Sequence, residues 1–268
     1  MFNRAIVTHG GAGSPPHDSD GPQSAAKIGM ELLREEKSPL EAVVHAVKFL
    51  EDDPRFNAGV GSQLRADGRT IQMDASCMLS TGEFGAVACV EEILNPIELA
   101  QGVLLHSPHI LLVGDGARCF AKVHNIPVMC PGDPEIQTAR CNNTSPSCDT
   151  VGAVAYDGKV FAAALSSGGL KDAALGRVGD VPLPGCGLFC GPVGAVACTG
   201  DGEFIALKLL ARQVYGWLEE KMDPSEAAEK AIALFDDSVD IGLIILTHNN
   251  FASLARNGMA WSYLLESK

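Results

Sequence analysis

No stretch of this chain approaches the roughly 20 apolar residues that a membrane-spanning helix requires. The opening MFNRAIVTHGGAG also has neither the long apolar core nor the cleavage site of a secretory signal, so a cytoplasmic location is expected. Lysine and arginine are few, 20 against 33 aspartates and glutamates, and they nowhere cluster. At a formal net charge of −13 the chain lacks the cationic patch on which nucleic-acid and anionic-lipid binding depend. Small-molecule or dipeptide substrates are expected instead, with no nucleic-acid or membrane partner. The nine cysteines include no C-x-x-C pair and are odd in number, which argues against a disulfide framework and a structural zinc site. The histidines, aspartates and glutamates show no metal-ligand spacing, so no metal or other cofactor is expected in the chemistry.

What remains is a glycine-rich chain of 268 residues, 46% hydrophobic, long enough for one substantial core in a single α/β domain or two interleaved halves. An apolar strand from Ala5 to Thr8 runs into the cluster His9 to Gly13. Helices are expected from about Pro22 to Glu36 and, behind a capping box at Ser38 and Glu41, through Leu50. A Gly-rich loop spans Phe56 to Ser62. Asp67-Gly68 suggests a hairpin turn between LRA and the strand IQMDASCM. A strand near Gly85 to Val90, a helix from Pro96 to Leu105, a buried-type strand from Ile110 to Val113 and a helix from Asp115 to His124 follow.

From Pro127 to Asp149 Pro131, Pro134 and Pro146 lie among Asn, Ser and Cys, the one convincing internal linker. Beyond it TVGAVAYD and KVFAAALSS read as strands joined at Asp157-Gly158, and Gly191 to Thr199 as another. One long helix from about Glu203 to Glu220, a second opening at Asp223-Pro224, and closing strands at Ile241 to Thr247 and Phe251 to Arg256 complete the pattern. Strands and a helix pair on each side of the linker suggest two sheets packed face to face with helices outside.

The chemistry concentrates after the linker. Thr150 stands where the polar CNNTSPSCD gives way to the apolar TVGAVAYD. Scission of the bond between Asp149 and Thr150 would place a hydroxyl and a free α-amine on one residue, a nucleophile with its own base. That amine has a pKa of about 7.7 to 8.0, against about 10.4 for lysine. Without scission Thr150 is an ordinary β-branched residue opening a strand. Arg177 and Asp180, on a glycine-flanked loop, suit the carboxylate and ammonium of a free amino acid. They equally describe a solvated ion pair worth at most about 1 kcal/mol. CTGDGE puts Thr199 and Gly200 between a strand and a helix, where backbone amides can hold an oxyanion or simply make a turn.

HGGAG at 9–13, FNAGVGS at 56–62, MDAS at 73–76, DTVGAV at 149–154, SSGG at 166–169, GRVGD at 176–180 and CTGDGE at 198–203 occur together in this order. In that series the chain resembles the N-terminal-nucleophile asparaginases, which include plant-type isoaspartyl peptidases, glycosylasparaginase and taspase. The resemblance implies an α+β fold, a four-layer αββα sandwich, made by a precursor that cuts itself into an α part (1–149) and a β part (150–268). It implies a homodimer of cleaved αβ units, with Thr150 attacking a side-chain amide or isopeptide carbonyl of an L-aspartyl group. Thr199 and the Gly200 amide would hold the oxyanion, and Asn57 and Ser167 would orient the nucleophile. Arg177 would take the substrate carboxylate, with Asp180 and the Gly202 carbonyl on the ammonium. The loop Leu50 to Gly61 resembles one that holds a structural sodium through backbone carbonyls. Ser167 in place of the usual Thr, GCG at 185–187 and Asp149 before the nucleophile are closer to taspase or glycosylasparaginase. A glycosylasparaginase-like or taspase-like activity, or an unprocessed non-catalytic scaffold, stays open beside the asparaginase and isoaspartyl peptidase reading.

Overall fold

The computed structural model describes residues 1–128 and 150–267. The expected linker and Asp149 therefore lie almost wholly outside the described residues. The chain is an α+β protein whose elements run β1 (Phe2–Ala12), α1 (Asp20–Arg34), α2 (Pro39–Glu51), β2 (Met73–Leu79), β3 (Phe84–Val90), α3 (Pro96–His106), β4 (Leu111–Val113) and α4 (Gly114–Val123). After residue 149 come β5 (Val151–Tyr156), β6 (Phe161–Ser167), β7 (Leu188–Gly191), β8 (Gly194–Gly200), α5 (Gly202–Lys208), α6 (Leu210–Glu219), α7 (Pro224–Ile232), β9 (Ile241–Thr247), β10 (Phe251–Ala255) and β11 (Met259–Ser267).

Among the described residues the strands form a seven-stranded sheet, ordered β11-β1-β5-β6-β2-β3-β4, and a four-stranded sheet, β10-β9-β8-β7. Alternation along each strand divides the core into three clusters. Ala162 and Ala164 of β6 pack with α1, α2 and α3, whereas Ala163 and Leu165 meet Leu188, Ala195 and Ala197 of the smaller sheet. On β8, Val196 and Cys198 turn the other way, against Leu210, Val214 and Ala227 of α6 and α7. Apolar residues on both faces of β6 and β8 are what a strand covered on both sides requires.

The capping box forms as its residues suggest, with Glu41 N–H donating to Ser38 Oγ and Ser38 N–H to Glu41 Oε2 at 3.2 and 3.1 Å. Five expectations need correction. The two sheets do not divide at the linker: β5, β6 and β11 join β1 to β4 in the larger sheet. The helix from 203 to 220 is broken at Leu209, which adopts φ 48°, ψ 47°. The break lets the amides of Ala211 and Arg212, in the first turn of α6, donate to the carbonyls of Cys186 and Gly185 at 3.1 and 2.9 Å. Asp67-Gly68 makes a turn, its carboxylate accepting from Thr70 Oγ1 at 2.6 Å, but LRA is no strand. Instead Leu64 and Ala66 exchange backbone bonds with Asp172 and Ala173. The strand ending at Val113 is a partly exposed sheet edge, and β11 lies beyond the last strand the sequence suggested.

Candidate active site

The ends of several strands bring the sequence-singled residues together. Thr150 immediately precedes β5, which lies between β1 and β6. The Thr199 hydroxyl near the end of β8 accepts the Ala12 amide at 3.0 Å and donates to the Thr150 carbonyl at 3.4 Å. Thus the HGGAG segment, the expected nucleophile and the expected oxyanion group meet at one hydroxyl. Thr150 is 3% exposed and Thr199 fully buried. Gly200 closes β8, paired in register with Ile241 of β9.

Asn57, in the loop after α2, donates from Nδ2 to the Gly169 carbonyl at 2.7 Å, and Ser167 Oγ accepts the Gly169 amide at 3.1 Å. Both side chains hold the turn that follows β6, one strand over from Thr150. Gly169 has φ +75°, and a Cβ there would come 2.6 Å from Arg65 Nη1, so any other residue meets strain and a buried guanidinium together.

Arg177, Asp180 and Gly202 also converge. A Cβ on Gly202 would lie 2.8 Å from Asp180 Oδ1 and 3.0 Å from Arg177 Nη2, which places the start of α5 directly against both charged groups. Asp180 is 3% exposed, and among the described residues its Oδ2 has no hydrogen-bond partner. Burial pushes its carboxyl up to about 7, against the pull of the Arg177 guanidinium. A buried acceptor with one oxygen unpaired is poised to receive an ammonium. Arg177 is gripped from outside by Glu203, which accepts from Nε and Nη2 at 2.8 and 2.7 Å. Among the described residues Glu203 engages Nε and Nη2 and leaves Nη1 outside that ion pair.

Sequence reasoning did not single out Glu203, Arg65 or Glu51. Arg65 is fully buried, donating from Nη2 to the carbonyls of Gln72 and Arg177 at 2.6 and 3.3 Å. Glu51 ends α2, accepts the Ile97 amide at 3.0 Å and is pushed by burial up to about 8. Their charges were legible, but nothing local marked them as buried. Among the described residues there is no group of three His, Cys, Asp or Glu placed to hold a metal, and no helix long and apolar enough to cross a membrane.

The sequence model of the family described as Asparaginase matches residues 2–140 and 131–268. The chain is 35% identical to the plant-type L-asparaginase of Pyrococcus furiosus, over 97% of this chain and 95% of that protein. It is 36% identical to the isoaspartyl peptidase/L-asparaginase of Danio rerio, covering 98% and 93%. Identity to the Homo sapiens protein of that same name is 36%, covering 100% and 95%.

Proposed function

The chain belongs to the asparaginase family, and we propose that it is a self-processing amidohydrolase acting on L-asparagine and on β-aspartyl (isoaspartyl) peptides. The observation that carries this reading is the convergence of Arg177 and Gly202 on the buried Asp180 carboxylate, whose Oδ2 has no partner among the described residues. Such a site recognises a free α-amino acid, and the names of the relatives point to the same substrate class. The layering of helices, sheet, sheet and helices supports the αββα sandwich of the N-terminal-nucleophile hydrolases.

In this reading the chain cuts itself between Asp149 and Thr150, into parts 1–149 and 150–268. Thr150 Oγ1 attacks the side-chain carbonyl carbon of the substrate, and its proton passes to the new α-amine, whose pKa of about 7.7 to 8.0 suits the task at neutral pH. The carbonyl electrons move onto oxygen, held by the Thr199 hydroxyl and the Gly200 amide. The Thr199 hydrogen now rests on a long bond to the Thr150 carbonyl and is free to turn to that oxyanion. Collapse expels ammonia or the amino acid of a β-aspartyl peptide, which takes the proton from the ammonium. Water activated by the same amine then cleaves the aspartyl ester and releases L-aspartate. Asn57 and Ser167 orient the nucleophile through the Gly168-Gly169 turn.

No cofactor is needed for these steps. In this reading the loop Leu50 to Gly61 would hold a structural sodium through backbone carbonyls, the chemistry a hard cation takes. Its part would be to stiffen the loop that carries Asn57. Pairing of two cleaved αβ units into a homodimer and a cytoplasmic location complete the reading.

The test is turnover and self-cleavage in Thr150→Ala. Both are expected to vanish, and amidase activity retained by that variant refutes the mechanism. N-acetyl-asparagine should be a poor substrate beside L-asparagine; equal rates contradict the assignment of Asp180 to the ammonium.

A further inference from the structure

Arg177 and Asp180 sit on a loop rather than a helix or strand, and a loop places charged groups only as well as its backbone is held. Among the described residues the Asp180 Oδ2 has no hydrogen-bond partner. The Asp180 carbonyl accepts the Leu183 and Gly187 amides, each at 3.1 Å, and further bonds hold the residues on either side of it. Asp74 Oδ2 accepts the Gly179 amide at 3.3 Å, and Ser76 Oγ donates to the Val181 carbonyl at 2.5 Å. These two side chains come from alternate positions of β2 and so point from the same face of the sheet. They grasp the main chain one residue before and one residue after Asp180. Asp74 Oδ1 also accepts the Cys89 amide at 2.8 Å, which ties the arrangement to β3. From the other side Arg65 Nη2 reaches the Arg177 carbonyl at 3.3 Å.

We propose that Asp74 and Ser76 are positioning residues for the substrate head group, acting through the backbone on either side of Asp180. The inference rests on the assignment of Arg177 and Asp180 above and gives the MDAS segment a role. Asp74 is a costly group to bury, and what it holds accounts for its presence. Its neighbours Met73, Ala75 and Cys77 are apolar and buried, and Asp74 itself is 1% exposed. Burial raises its carboxyl above its ordinary value, against the pull of the Cys89 and Gly179 amides and of the Arg65 and Arg177 guanidiniums. What an apolar residue could not do is receive the Gly179 amide. Ser76, fully buried between apolar neighbours, poses the same question and has the same answer.

The experiment compares the wild-type protein with Asp74→Asn, Ser76→Ala and a control, Cys77→Ala. Cys77 lies on the same strand, but its side chain joins the cluster under the helices on the opposite face. Two quantities are read: the split of KM against kcat on L-asparagine, and deuterium uptake by the segment 176–182. Ser76→Ala and Asp74→Asn are expected to raise KM about fivefold or more, the size of one net hydrogen bond, with kcat within about threefold. Uptake should quicken in 176–182 in both. Cys77→Ala should lower the melting temperature and leave KM and that uptake unchanged. Wild-type KM and uptake in Ser76→Ala overturn the proposal, as does an equal rise of KM in Cys77→Ala. If Asp74→Asn fails to fold, Ser76→Ala decides alone. If the wild-type protein does not hydrolyse asparagine, the functional reading fails, and hydrogen exchange still judges the tether.

Discussion

At the scale of single residues the site is two charged groups under unequal solvent. Arg177 has its Nε and Nη2 edge engaged by Glu203, so a substrate carboxylate must be met by Nη1. Arg177→Ala should raise KM by about 30-fold or more, corresponding to ~2 kcal/mol for truncating one partner of a buried charge pair. Arg177→Lys should recover little, because one ammonium cannot serve both carboxylates in that geometry. An unchanged KM in either variant removes Arg177 from the site. Asp180, held at about 7 by burial, must be anionic to receive the substrate ammonium. The anion predominates above that value, so 1/KM should be high above about 7, while the substrate amine is still protonated, and fall as pH drops through about 7. Asp180→Asn should bind weakly at every pH and lose this limb; a limb that persists in the variant belongs to another group. Thr150 was legible as a candidate from the change between polar linker and apolar strand, and Thr199, Asn57, Ser167, Arg177 and Asp180 from the glycine-bearing motifs around them. Arg65, Glu51 and Glu203 were not, since burial and ion pairing across 26 or more residues leave no local trace.

At the scale of elements, legibility followed the range of the interactions. Helix α2 was readable down to its cap because Ser38, Pro39 and Glu41 carry the signal within four residues. The break at Leu209 was not. Its cause is the pair of carbonyls at Gly185 and Cys186, more than twenty residues away, and the intervening sequence EFIALKLLARQVYGWLE reads as one continuous helix. Leu209 is 55% exposed and left-handed, a conformation that costs an L-residue roughly 1–2 kcal/mol. Leu209→Gly should therefore be neutral or stabilising by up to about 1 kcal/mol in chemical denaturation. In an unbroken helix the same change destabilises by about 1 kcal/mol, and that result would contradict the break. The strand β11 escaped notice for a related reason. It is a sheet edge with mixed exposure, so MAWSYLLES lacks the clean alternation of a half-buried strand.

At the scale of the whole molecule, pairing between strands far apart in sequence is the part that local pattern could not supply. β5 hydrogen-bonds β1 on one side and β6 on the other, while β6 pairs β2. Segments from both sides of residue 149 are thus neighbours within one sheet, and a cut before Thr150 would leave the two parts locked together. The burial of Thr150 at the head of β5 follows from the same interleaving. Mass spectrometry of the purified, active protein under denaturing conditions tests the central claim most directly. The account predicts two fragments that travel together in native chromatography, the smaller beginning with an unblocked Thr150. Full activity from a single intact chain of 268 residues would contradict it.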